Sequence, residues 1–207
     1  MIGLVGALIG GLLVWFLMTS SGNNNMSGKM GMMRGNSDSR MNGAQSMGNI
    51  DAHFIEQMIP HHDDAITMAK VAQQKAQHPE IKTLSQNIIT SQSAENAQMK
   101  AWYGDWFGRD LPTGDQVMKN HGMMSGSNMH MGMMGTDMDL EKLEQSLSFD
   151  KTFIEQMIPH HQMAVMMASM LKGGTTRPEM KKLADDIITA QTKEIDQMRQ
   201  WYKEWGY

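Results

Sequence analysis

The chain says one thing twice. Asp51-Ala52-His53-Phe54-Ile55-Glu56-Gln57-Met58-Ile59-Pro60-His61-His62 returns 99 residues later as Asp150-Lys151-Thr152-Phe153-Ile154-Glu155-Gln156-Met157-Ile158-Pro159-His160-His161. The match runs without a gap from 51–106 onto 150–205, with roughly half of the aligned positions identical, so it is an internal duplication. A duplicated unit too small to bury its own apolar face must bury it against its copy. That requirement constrains the fold more than any other feature.

Each copy reads as two helices. Phe54, Met58, His61, Ala65, Met68 and Ala72 fall on one stripe at alternating four- and three-residue steps, with Asp51 placed as the N-cap. A second helix begins at His78-Pro79-Glu80, proline taking the favoured first-turn position. Its stripe is Leu84, Ile88, Gln92, Glu95, Met99, Trp102 and Trp106. The second copy repeats both, as Phe153, Met157, His160, Ala164 and Met167, then Leu183, Ile187, Gln191, Glu194, Met198, Trp201 and Trp205. Helices of about 40 Å at 1.5 Å per residue, joined by short turns, predict antiparallel hairpins. Two hairpins together make a four-helix bundle, and the fold class is all-α. Strand-like alternation is absent. Leu140, Leu143 and Leu147 recur at helical spacing, so 139–148 is a short helix or an extension of the next one. Two readings of Pro60 and Pro159 are open: a new helix starts there, or a kink frees the Glu56 carbonyl and re-aims His61.

These patterns divide the chain into an apolar segment (1–18), a Met/Gly/Ser/Asn-rich linker (19–50), repeat 1 (51–106), a Met-rich linker (107–138) and repeat 2 (139–207). Ile2–Met18 carries no charge and has no polar face. It is at the short edge of a bilayer span and longer than most signal-peptide cores, with no clear cleavage site. An uncleaved membrane anchor through residues 2–18 is favoured over a removed signal. Lys29, Arg34 and Arg40 follow it and argue mildly for a cytoplasmic side. The metal chemistry below favours export instead, to the periplasm or another extracytoplasmic space.

That chemistry starts from 26 methionines and no cysteine. The missing thiols remove disulfides and zinc-thiolate sites together. A net charge of −4 gives no electrostatic case for nucleic acid. Fourteen methionines lie in 19–50 and 107–138, where there is no core to fill. A thioether is neutral and polarizable, so it binds Cu(I), or Ag(I) by the same softness, without first losing a proton. The run Met129-His130-Met131-Gly132-Met133-Met134, with Met123 and Met124 before it, puts several sulfurs and an imidazole within reach of one ion. The competing readings are an oxidant-scavenging tract or an adhesive surface.

Within the helices, Met58 and His61 are one turn apart and close enough to share an ion. Adjacent histidines point about 100° apart, so His62 leans away, toward Ile55, Ile59 and Ile66. Gln92, Glu95, Gln191 and Glu194 are polar members of otherwise apolar stripes, and a carboxylate there would hold an imidazole tautomer. The bland alternative is that these methionines fill the core and the histidines are satisfied within it.

With Phe54-x3-Met58-Ile59-Pro60-His61-His62 and the later Gln92/Glu95/Met99/Trp102 helix both occurring twice in order, the chain resembles the DUF305 family over 51–106 and 150–205. The resemblance implies an exported bacterial protein with a ferritin-like helical fold. Two-copy, Met-rich members look like copper-binding, copper-resistance proteins. Carried over by position, it implies Met58, His61, His62, Met68 and Met99, with Met157, His160, His161, Met167 and Met198, as ligands. The expected function is Cu(I) handling in the cell envelope, sequestering metal or passing it to a chaperone or efflux partner, with no reaction catalysed. Its alternatives are a ferritin-like copper-dependent oxidase and a membrane-anchored interaction module. A di-iron oxidase would need Glu-x-x-His pairs, whereas Glu56 and His61 are five apart.

Overall fold

The computed structural model describes residues 38–112 and 139–207, with side chains from Ile50 onward in the first stretch. All of its regular structure is helical: α1 (Asp38–Lys75), α2 (Pro79–Phe107), α3 (Leu140–Gln145), α4 (Phe149–Gly174) and α5 (Pro178–Glu204). Helices α1 and α2 pack as one hairpin, α4 and α5 as the other, and α1 lies against α4 across the repeat boundary. The result is the four-helix bundle that the duplication implies. Among the described residues no helix is long and apolar enough to cross a membrane. The expected anchor at 2–18 lies outside them.

Prolines open α2 and α5 at the first turn, where their missing N–H costs nothing. Gly108 closes α2 in the left-handed region, at φ 61°, and returns its N–H to the Gly104 carbonyl. Pro60 and Pro159 do not start new helices, because α1 and α4 run through them. Helix α1 also begins at Asp38, thirteen residues before the expected N-cap. The glycines and serines upstream of Asp51 are poor helix formers. Extending a helix that the downstream stripe already nucleates adds a hydrogen bond per residue without a new nucleation cost. Asp51 is therefore an interior residue of α1, and its carboxylate is engaged elsewhere. Between the repeats, Asp139 caps α3 by accepting from the Lys142 N–H at 2.8 Å, and a break at Ser146 to Ser148 separates α3 from α4.

The core is two apolar clusters rather than one. One gathers Phe54, Ile55, Met58 and Ile59 of α1 with Met99 and Tyr103 of α2, then Met167 and Leu171 of α4 with Leu183 and Ile187 of α5. The other gathers Ala65, Met68 and Ala72 of α1 with Ile81, Leu84 and Ile88 of α2, then Phe153 and Met157 of α4 with Met198 of α5. Each cluster takes the start of one repeat's first helix and the end of the other's. The members exchange under the 99-residue shift, so the repeats are related by an approximate two-fold axis. His61 and His160 lie where that axis passes between the clusters.

Candidate metal site

The midpoint of the bundle is imidazole. His61, on α1, and His160, on α4, face each other with ring centroids 3.7 Å apart and planes tilted by 35°. His160 is only 1 % exposed, and none of the four nitrogens of the pair makes a hydrogen bond of normal geometry. Burial lowers the His61 pKa to about 3, with the charges of His62 and His161 acting the same way. A backbone carbonyl approach from His160 opposes them and is the weakest influence. His160 is held well below the ordinary histidine range, by burial first and then by His61, His161 and His62. Both rings are thus neutral at physiological pH, with lone pairs available to a metal.

Flanking the pair are two identical supports. His62 is fully buried and its Nε2 donates to Glu95 Oε2 at 2.7 Å, while His161 Nε2 donates to Glu194 Oε2 at 2.8 Å. A carboxylate only accepts, so in the neutral ring it fixes the proton on Nε2 and leaves Nδ1 as the lone-pair nitrogen. Nδ1 of both His62 and His161 is buried without a protein partner. The second helix of each repeat thus places a carboxylate on the second histidine of the pair, His62 or His161, rather than on His61 or His160. Gln92 and Gln191 sit one turn before these glutamates; both are buried, with Gln92 Oε1 and both amide atoms of Gln191 unpartnered.

The six methionines expected as helical ligands are buried too, at 6 % exposure or less. The structure regroups them. Met58 and Met68 share a stripe on α1, yet they fall in different clusters, on either side of the histidine pair. Met58 joins Met99 of its own repeat and Met167 of the other; Met157 joins Met198 and Met68. Each cluster therefore holds three of the expected thioethers, drawn from both repeats, and the first holds Met180 as well. Met123, Met124, Met129, His130, Met131, Met133 and Met134 lie outside the described residues. Among the described residues no three His, Cys, Asp or Glu groups converge as a hard-metal site would require.

Other contacts escaped the sequence reading because each spans the two repeats or two distant helices. Asp150 accepts from the N–H groups of Gln77 and His78, and from His78 Nδ1 at 2.6 Å, while His78 stacks on Trp205 with centroids 3.6 Å apart. At the matching positions Asp51 pairs with Arg177 Nε at 3.2 Å, and the Arg177 guanidinium lies 4.2 Å over Trp106. These clamps tie the start of each repeat to the turn of the other. Tyr103 donates to Glu56 and Tyr202 to Glu155, again at matching positions. The only signal in sequence was that acid, base and aromatic recur together 99 residues apart.

A family model described as "Domain of unknown function (DUF305)" matches residues 51–202. Among solved structures, CopM in the Cu(I)-bound form is 51 % identical, covering 76 % of this chain and 98 % of that one, with a TM-score of 0.63. CopM in an Ag-bound form obtained by co-crystallization is 50 % identical over the same shares, at 0.64. A DUF305 protein of Streptomyces coelicolor is 26 % identical, covering 77 % of this chain and 95 % of that one, at 0.63. A viral relative, "Uncharacterized protein L153" of Acanthamoeba polyphaga mimivirus, is 43 % identical over 54 residues, 26 % of this chain. That match spans 36 % of the viral protein's length.

Proposed function

The chain belongs to the DUF305 family, and on that premise we propose that it binds Cu(I), and Ag(I) by the same softness, at the centre of its bundle. The observation that carries this reading is the facing pair of neutral imidazoles, His61 and His160, whose four buried nitrogens make no hydrogen bond of normal geometry. A buried polar atom without a hydrogen bond costs about 1–3 kcal/mol. Two rings kept in that state at matching positions are explained by a ligand that takes their lone pairs. Neutral imidazole and thioether suit a soft monovalent ion, and neither has to release a proton to bind it. The copper- and silver-bound forms of CopM, about half identical, support the choice of ion.

Stacked rings present their lone pairs at their edges rather than between their faces. With thioethers grouped in threes on either side of the pair, the bundle holds two ions, one toward each end. Met58, Met99 and Met167 serve one, and Met157, Met198 and Met68 the other. His62 and His161, with their tautomers fixed by Glu95 and Glu194, supply further nitrogen. The protein catalyses no reaction; it sequesters the metal and passes it to a chaperone or efflux partner. It works outside the cytoplasm, held by residues 2–18, with the Met-rich linkers as additional thioether sites.

Titrating the full chain with Cu(I) against a competing chelator tests this reading, alongside a variant with His61, His62, His160 and His161 changed to Ala. Two tightly held ions that the variant lacks, over and above those held by the linkers, are the expected result. Binding left unchanged in the variant would move the function to the linkers and make the histidines structural.

A further inference from the structure

Ten methionines lie in the described helices beyond residue 50. The site above uses six, and Met180 fills the core beside it. Three are left over, all on α4. Met163, Met166 and Met170 follow the i, i+3, i+7 spacing of a single helix face. Met170 is 56 % exposed and Met166 42 %, which makes them two of the few large apolar side chains in the described surface. Met163 is half-buried and packs on the cluster that holds Met58, Met99 and Met167.

Filling the core does not explain side chains that face water. Nor does the duplication, because the aligned positions in repeat 1 are Asp64, Thr67 and Val71. Repeat 2 alone carries thioether at all three places. Consecutive members of the set are neighbours, with about 5–6 Å between Cβ atoms, and Met166 lies between Met163 and Met170, which are about 10 Å apart along the axis. Methionine's three rotatable bonds allow their sulfurs to converge on one ion. Met167 completes the path inward. It is four residues from Met163 and three from Met170, yet it is buried among Met58 and Met99. Thioethers thus run from solvent, through Met170, Met166 and Met163, to Met167 and the interior.

We propose that Met163, Met166 and Met170 form a surface capture site for a soft monovalent cation and deliver it through Met167 to the buried site. The inference rests on the copper reading above and adds to it a route of loading. The site is uncharged, solvent-facing and built of one ligand type, so it exchanges metal faster than the buried site. Its lack of a counterpart in repeat 1 makes loading one-sided: the first ion enters beside Met58 and Met99.

The test uses the full chain, labelled with ¹³C at the methionine methyls and titrated with Ag(I), which has Cu(I)'s softness without its redox chemistry. The comparison is the variant Met163→Leu/Met166→Leu/Met170→Leu, a volume-conserving change that leaves the helix and core intact. In the wild type, the methyls of Met163, Met166 and Met170 shift at lower silver than those of Met58 and Met99. The variant binds one silver ion fewer, and its Met58 and Met99 resonances respond several-fold more slowly after mixing. If Met58 and Met99 respond while the three surface methyls stay still, or if the variant loads at the wild-type rate, the capture site is overturned and the buried site stands. If no helical methionine responds to silver, the buried site falls with it.

Discussion

His61 and His160 belong to different copies of one duplicated unit, and they meet ring to ring with centroids 3.7 Å apart. Neither repeat contains the pair; it exists only where the two hairpins cross. The same crossing buries all four ring nitrogens and leaves them without a hydrogen bond of normal geometry. A metal-accepting centre and the inter-repeat interface are therefore one feature.

That burial has a price in acid for the metal-free protein. The folded pKa of His61 is lowered to about 3 and that of His160 well below the ordinary value, while in the unfolded chain both titrate near 6.5. Well above pH 6.5 the rings are neutral in both states and contribute no pH dependence. Below it the unfolded chain takes up protons that the fold refuses, so stability falls as pH falls. The slope approaches about 1.4 kcal/mol per pH unit for each ring. Urea denaturation of the chelator-treated protein between pH 6.5 and 5, above the range where carboxylates titrate, measures this slope. The variant His61→Asn/His160→Asn should flatten it. An unchanged slope would show that the rings are protonated in the fold.

The division of methionines predicts stoichiometry. Met58→Leu/Met99→Leu removes two thioethers from one end of the bundle, and Met157→Leu/Met198→Leu two from the other. Each pair should reduce tightly bound Cu(I) from two ions to one, and both pairs together should abolish tight binding to the helices. Leucine keeps the volume, so each substitution should cost less than about 1.5 kcal/mol of stability in denaturant titration. Should both paired variants keep two ions at full affinity, the buried methionines are core filler.

Much of this was legible in the sequence, for definable reasons. The 3.6-residue period puts Glu95 on the inward stripe of its helix, but the ring it meets, at 2.7 Å, is His62, which the same period turns away from the stripe of His61. The period gives the face of a helix but not the depth along it. Met58 and Met68 share a stripe and still lie about 15 Å apart along the axis, so one ion could not have used both. Asp51 shows the other limit. Its composition and position suit an N-cap, but its partner is Arg177, in the opposite repeat. No local pattern reports a contact between turns that only the assembled bundle brings together.

Glu95 and Glu194 should control affinity without touching the metal. Glu95→Gln replaces an acceptor-only carboxylate with an amide that either accepts or donates, so Nε2–H of His62 is no longer enforced. Loss of a carboxylate behind a ligating imidazole typically weakens metal binding about 10–100-fold. Chelator competition should show that loss at one of the two ions for Glu95→Gln, and at both when Glu194→Gln is added. Affinity within error of the wild type would mean that His62 and His161 are not ligands.

The two clamps should differ in strength although they occupy matching positions. Asp150 is buried and satisfies the N–H groups of Gln77 and His78 together with His78 Nδ1. Asp150→Ala leaves those donors, in the turn that precedes α2, without their acceptor, at about 1–3 kcal/mol for each one kept from water. Asp51 has a single ionic partner in Arg177, whose side chain is 37 % exposed, and one of its own buried oxygens is unpartnered. Releasing a half-exposed arginine to solvent costs little, about 1 kcal/mol. Urea denaturation should therefore rank Asp150→Ala as clearly more destabilising than Asp51→Ala. Equal losses would mean that the backbone donors, rather than the charged partners, contribute nothing to holding the repeats together.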